Sequence, residues 1–143
     1  MSELLEKARS YEAKKIAATD KESKPLFHIS APAGWINDPN GFSVYNGKIH
    51  LFYQYYPYLR EWGPMHWGHS TTSDMIKWEQ LPCALAPDEE YDKKGCFSGS
   101  AIEADGKHVL VYTGVTRIKL PEGSEQERQN QCIAFGDGLN YVC

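Results

Sequence analysis

The feature that most constrains the fold is a hairpin written twice. Residues 42–45, the pair Asn46-Gly47 and residues 48–56 read as two strands joined by a tight turn. Residues 101–104, Asp105-Gly106 and residues 107–113 read the same way. Asn-Gly and Asp-Gly suit a type I′ turn, because both central positions need φ > 0. The copies align without gaps at an offset of 59 residues, matching Lys48 with Lys107, Leu51 with Leu110 and Tyr53 with Tyr112. A second hairpin-like stretch follows each. In the first copy it is residues 66–72, a Ser73-Asp74 turn and residues 76–78. In the second it is residues 131–135, Gly136-Asp137-Gly138 and residues 139–141, the turn lying 63 residues on. Two hairpins recurring at this period make a four-stranded blade, and such repeats predict a β-propeller. The chain is therefore read as all-β, with about two blades. Propellers close as rings of roughly four to eight blades. Two blades leave an unpaired sheet edge, so an incomplete ring is expected.

Ahead of the blades, residues 3–18 are expected to be helical. Leu4, Leu5, Ala8, Tyr11 and Ile16 recur near helical spacing, with Ser2 as N-cap. Thr19, Asp20, Lys21, Ser23 and Pro25 end that helix, and residues 26–30 form an extended approach to the first blade. Residues 1–24 are thus a helical leader and residues 25–143 the incomplete propeller. The acidic run at 88–92 reads as a solvated loop, and residues 121–130, rich in Gly, Ser, Glu and Gln, as a long rim loop.

Composition excludes several classes. Hydrophobic residues make up 41 % and charged residues 24 % of the chain, as in a globular protein. The net charge of −4 and the lack of a basic tract argue against a nucleic-acid partner. No apolar run reaches membrane-spanning length, and the charged N-terminus lacks the apolar core of a signal peptide. A cytoplasmic location is therefore expected. Cys83, Cys96, Cys132 and Cys143 show no CxxC pairing and read as free thiols. His66 and His69, three apart on a strand, point to opposite faces and would not share one metal ion. No metal is expected.

The chemistry-bearing stretch is Trp35-Ile36-Asn37-Asp38-Pro39-Asn40-Gly41. Pro39 fixes its own φ and keeps Asp38 out of the helical region. Asn40-Gly41 would then let the chain reverse. A carboxylate held on a short rigid turn beside aromatic surface suits sugar chemistry. The same Asp-Pro could serve the turn alone.

WINDPNG at 35–41, FYQYYP at 52–57, WGPMHWGHS at 62–70, DMIKWEQLP at 74–82 and GCFSGSA at 95–101 occur in order. Together they closely resemble glycoside hydrolase family 32, the invertases, fructanases and sucrose-6-phosphate hydrolases. The resemblance implies a five-bladed propeller with a funnel-shaped site on its axis, followed by a β-sandwich. It makes Asp38 the nucleophile of a retaining reaction on β-D-fructofuranosides, through a fructosyl ester that water releases. It makes Asn37, Gln54, Trp62, Phe97 and Ser98 substrate-binding residues. Each has a plainer role open to it: turn support for Asn37, an alternating polar strand position for Gln54, blade packing for Trp62. Trp67 and Trp78 read as core. No cofactor is implied, since carboxylates suffice; the partner is a small sugar, namely sucrose, sucrose 6-phosphate or a short fructan.

One departure matters. The family's transition-state-stabilising Asp lies in an Arg-Asp-Pro motif and its acid/base Glu in a Glu-Cys motif, and neither occurs here. Glu103, mid-strand beside a turn and alternating with Ile102, reads as surface rather than as a substitute. The expectation is an N-terminal portion of a fructofuranosidase that ends before its acid/base. The rival expectations are fructosyl transfer, or an inactive remnant with sugar binding at most. A propeller-type interaction module would leave Asn37, Asp38 and Gln54 unexplained.

Overall fold

The computed structural model describes residues 2–20, 22 and 24–143; Lys21 and Ser23, read above as helix-ending residues, lie outside them. Among the described residues, one α-helix, α1 (Glu3–Ala18), precedes eight strands. These are β1 (Trp35–Tyr45), β2 (Lys48–Tyr56), β3 (His66–Thr72), β4 (Glu79–Leu85), β5 (Gly95–Ala104), β6 (Lys107–Lys119), β7 (Glu125–Gly136) and β8 (Tyr141–Val142). They form two antiparallel four-stranded sheets in sequential order, β1-β2-β3-β4 and β5-β6-β7-β8. These are the two blades that the duplicated hairpin predicts.

Both tight turns have the required geometry. Asn46 and Gly47 sit at φ 48° and 72°, and Asp105 and Gly106 at 50° and 72°. Mirror-image turns of this kind match the right-handed twist of their strands.

Elsewhere the strand limits differ from the sequence reading. Residues 76–78 are not a strand: Asp74 Oδ1 accepts from the amides of Ile76 and Lys77 at 2.9 and 2.8 Å, which holds them in an Asx-type turn. The return strand therefore starts at Glu79, and Trp78 is only half-buried. The final strand likewise shifts to Tyr141–Val142, because Asp137 Oδ1 ties down the amides of Leu139 and Asn140. The expected rim loop at 121–130 is mostly strand. β6 and β7 pair without interruption from His108↔Gly136 to Lys119↔Glu125, leaving only residues 120–124 to turn. In the ladder's outer half the β7 residues from Glu125 to Gln129 are all exposed, so no apolar alternation marks that strand. Its hydrogen bonds, helped by Arg117–Glu125 and Lys94–Glu127 ion pairs, hold it instead.

The apolar core lies between the blades. Phe52, Trp67 and Leu85 of the first pack against Leu110, Tyr112, Ala134 and Tyr141 of the second. Alternation along β2 sends Phe52 to this face and Tyr53 and Tyr55 to the other, where Leu5 and Ala8 of α1 cover them with Cys83 and Ala86. Ser2 caps α1, accepting from Leu5 N at 3.2 Å and donating to Asp88. Leu4 and Ile16, expected on the apolar stripe, are exposed. Glu12 takes their place inside: its carboxylate accepts from Cys83 N at 2.9 Å, while Arg9 donates to Cys83 O at 2.8 Å. The helix thus satisfies both backbone groups of one residue on the edge strand β4. Arg9 also reaches Asn140 Oδ1 at 2.9 Å and Leu139 O at 3.1 Å, so it ties α1 to both blades.

The run at 88–92 is also not wholly solvated. Asp92 is fully buried, accepting from Tyr112 Oη at 2.8 Å and Glu89 N at 2.9 Å. All four cysteines are free, with only Cys143 exposed. Among the described residues, no helix is long and apolar enough to cross a membrane.

Candidate active site

The first strands of the two blades, β1 and β5, pack side by side. Both are broken by bulges at the same level. On β1, Ile36 pairs with Tyr55 and Pro39 with Tyr53, so Asn37 and Asp38 together face Gln54 alone. A further slip follows between Asn40↔Phe52 and Ser43↔His50. On β5, Phe97 pairs with Thr113 and Gly99 with Tyr112, leaving Ser98 as an extra residue. Bulges of this kind re-aim side chains, and here they do so on facing strands.

The expected reversal at Asn40-Gly41 does not occur. Pro39 and Gly41 act within a continuous strand. Gly41 at φ 51° supplies the second bulge, and a Cβ there would stand 2.7 Å from the Phe52 ring. Asp38 is accordingly held in extended backbone and its carboxylate is exposed. Ser98 Oγ donates to Asp38 Oδ2 at 3.4 Å and so joins the two bulges. Asn37 Oδ1 accepts from the Trp35 indole N–H at 2.7 Å, which orients its amide. Trp62, on the loop between β2 and β3, is 55 % exposed and meets the Phe97 ring edge-on at 6.1 Å. Asn37, Asp38, Phe97 and Ser98 thus share one junction, with Trp62 against Phe97 at its border.

Gln54 is placed differently. It is buried, and its Nε2 donates to Cys96 O at 3.0 Å. In this arrangement Gln54 fastens the two blades directly beneath the β5 bulge. Sequence reasoning missed two residues that do the same. The Trp67 indole N–H donates to Phe97 O at 3.2 Å, and Asn40 Oδ1 accepts from Gly99 N at 3.4 Å. From sequence, Trp67 reads only as core and Asn40 only as a turn residue. Cys96 N also donates to Met65 O at 2.8 Å. The stretch 96–99 is therefore pinned to the first blade at four backbone positions.

Glu103 is exposed at the far end of β5. It lies five residues from Ser98, about 16 Å along a strand. That is too far for the 5–5.5 Å carboxyl separation that a retaining pair needs. His66 and His69 have separate partners, Pro64 O and the ring of His50, each at 2.9 Å. Among the described residues, no group of three or more His, Cys, Asp and Glu side chains is arranged for a metal ion.

Comparison with known proteins agrees on the family. The model of the glycosyl hydrolases family 32 N-terminal domain matches residues 28–141. Sucrose-6-phosphate hydrolase of Escherichia coli is 48 % identical over 118 residues, which are 82 % of this chain and 25 % of that protein. Levanase of Bacillus subtilis is 50 % identical over 136 residues, 94 % of this chain and 20 % of that one. The structure of the Bombyx mori GH32 beta-fructofuranosidase BmSUC1 superposes with a TM-score of 0.82 at 45 % identity, covering 96 % of this chain and 28 % of that one. The chain spans about a quarter of the length of the curated relatives it matches. With half or more of its residues in the family's N-terminal domain, the chain belongs to glycosyl hydrolase family 32.

Proposed function

We propose that this chain is the nucleophile-bearing portion of a retaining β-fructofuranosidase acting on sucrose or sucrose 6-phosphate. Asp38 attacks the anomeric carbon of the fructosyl unit, the glycosidic oxygen leaves with a proton, and water later cleaves the fructosyl ester. Asn37 and Ser98 hydrogen-bond the bound sugar, and Trp62 with Phe97 walls it. Gln54 acts through Cys96 as a positioning residue. The observation carrying this reading is the facing pair of bulges, which leaves the Asp38 carboxylate exposed and within bonding range of Ser98. Two relatives lend support: the sucrose-6-phosphate hydrolases, and a BmSUC1 variant solved in complex with sucrose.

The acid/base comes from outside these residues, since Glu103 is out of reach. Loss of a general acid forfeits about 10²–10⁴-fold in rate, so the chain alone should release almost no fructose from sucrose. A substrate whose leaving group needs no proton isolates the first step. Fructosyl fluoride added to the purified chain should leave a fructosyl adduct on the Asp38 peptide, read by mass spectrometry, and none on Asp38→Asn. An adduct elsewhere, or none at all, would contradict Asp38 as nucleophile. Ready sucrose turnover by the chain alone would contradict the missing acid.

A further inference from the structure

The loop between β4 and β5 and the outer half of the β6–β7 ladder enclose a cleft of about 370 Å³, within the size range of small-molecule sites. Glu90 and Tyr91 come to it from the loop, Thr116 and Ile118 from β6, and Arg128 and Asn130 from β7. Thr116 pairs with Arg128 and Gly114 with Asn130, so these four ladder side chains alternate onto one face. Gly114 lets the loop close on that face: a Cβ there would stand 3.1 Å from Tyr91 O. Tyr91 packs against the apolar core, and the next residue, Asp92, is held by the Tyr112 hydroxyl at 2.8 Å. The Tyr91 ring is therefore a fixed wall.

The other face of the ladder has spent its charges, Arg117 on Glu125 at 3.5 Å and Glu127 on Lys94 at 2.6 Å. On the cleft face they are unspent. Among the described residues, Thr116 Oγ1, the Arg128 guanidinium and the Asn130 amide enter no side-chain hydrogen bond or ion pair. Glu90 is paired with Lys93 at 2.5 Å.

This set fits a neutral sugar. A glucopyranose ring carries its hydroxyls around the rim and bares flat C–H faces, which suit the Tyr91 ring and the Ile118 side chain. Arg128 supplies donors for the hydroxyls, whereas Asn130 and Thr116 each donate and accept. The Glu90 carboxylate opposes an anion in the same space. The cleft is also apart from the bulged junction, none of whose residues lines it. Gly95, three residues before Ser98, pairs with Val115, and the cleft begins one residue beyond Val115. Four to six strand residues span about 13–20 Å, so a disaccharide bound at Asp38 does not reach it.

We infer that this cleft is a second sugar-binding site, which takes a neutral glucopyranosyl unit stacked on Tyr91 and held by Thr116, Arg128 and Asn130. It goes beyond the fructoside reading and does not depend on it.

The test uses the whole ¹⁵N-labelled chain, titrated separately with methyl α-D-glucopyranoside, methyl β-D-fructofuranoside and sodium acetate. The glucoside should shift the amides of Tyr91, Arg128 and Asn130 with a millimolar Kd and leave those of Asp38 and Ser98 unmoved. Arg128→Ala and Thr116→Val should each weaken that binding about ten-fold, as the loss of a hydrogen-bond partner predicts. Arg128 is exposed and valine matches threonine in shape, and the amide spectrum reports folding directly. No saturable shift of the cleft amides by the glucoside, or one that both variants leave unchanged, overturns the inference. So does a cleft that acetate shifts and the glucoside does not, which would be an anion site. If the fructofuranoside moves Asp38 and Ser98 while the glucoside moves nothing, the second site fails and the fructoside reading stands. If the glucoside moves the cleft while the fructofuranoside leaves Asp38 and Ser98 unmoved, the second site stands and the fructoside reading fails.

Discussion

Acid should loosen this protein at the seam between its blades, and His108 shows why. The ring is completely buried, with Nε2 2.9 Å from Ser43 Oγ and Nδ1 2.8 Å from Tyr141 Oη. Tyr45 stacks on it at 4.8 Å, and His50 approaches edge-on at the same distance. His50 shares a 2.9 Å bond with His69, which is buried against Phe52. None of these neighbours carries a negative charge, and the nearby Lys48 and Arg9 are cations. Burial therefore pushes His108 from its ordinary 6.5 to about 4. His66 falls to about 4 for the same reason, and His50 and His69 are also lowered. The unfolded chain accepts these protons near 6.5 and the folded chain refuses them until about 4. Stability is thus complete above 6.5 and is lost as pH falls through that window. At pH 5 each of His66 and His108 costs about 2 kcal/mol. Glu12 works in the opposite direction: burial raises it to about 7, so it favours the folded state increasingly from pH 7 down to 4.5, by about 2 kcal/mol at pH 5. The net loss between pH 7 and 5 is about 2 kcal/mol from these three groups, with His50 and His69 adding to it. Against a usual total of about 5–15 kcal/mol that is a large change. Urea unfolding followed by tryptophan fluorescence at pH 7.5, 6 and 5 would measure it. His108→Gln should lower stability at pH 7.5, through lost hydrogen bonds, yet flatten the pH dependence by about 2 kcal/mol over this range. Identical pH slopes for the two proteins would refute the reasoning.

Three further outcomes are expected. Glu12→Gln keeps an acceptor for Cys83 N but needs no buried charge, so at pH 8 it should stabilise the chain by about 2 kcal/mol; a variant no more stable than the parent in urea at that pH would contradict this. Asp92→Ala removes the carboxylate that the Tyr112 hydroxyl and the Glu89 amide share inside the second blade and should cost about 2–3 kcal/mol, whereas a loss below about 0.5 kcal/mol would return the residue to the solvated role that its acidic surroundings suggest. Trp62→Ala should leave the melting temperature almost unchanged, because the ring is more than half exposed, while weakening sucrose binding about ten-fold; unaltered binding by calorimetry would remove Trp62 from the site.

Some of this molecule follows from local chemistry and was legible before any coordinates. Asn46-Gly47 and Asp105-Gly106 take positive φ because few other pairs tolerate it, so the two hairpins, their period and the two blades follow from short stretches of chain. Ser2 caps α1 for an equally local reason. The motif order carried the family, which the comparison with known proteins then showed. Strand limits were less legible: Asp74 and Asp137 bind the amides that follow them and delay β4 and β8, while the first half of β7 is exposed at successive positions and leaves no alternating pattern. The bulges at Asn37-Asp38 and Ser98 depend on pairing with β2 and β6, so a stretch that looked like a reversal became a bent strand.

What a side chain meets across the fold was decided by tertiary packing alone. Glu12, Asp92 and Asn40 are polar residues in polar surroundings of sequence, and only packing puts them inside. Tyr91 and Arg128 lie far apart in the chain, and only the closing of the 88–94 loop on the β6–β7 ladder brings them into one cleft. The physical reason is range: turn chemistry acts within a few residues, whereas burial and the sum of charges depend on segments the sequence holds far apart.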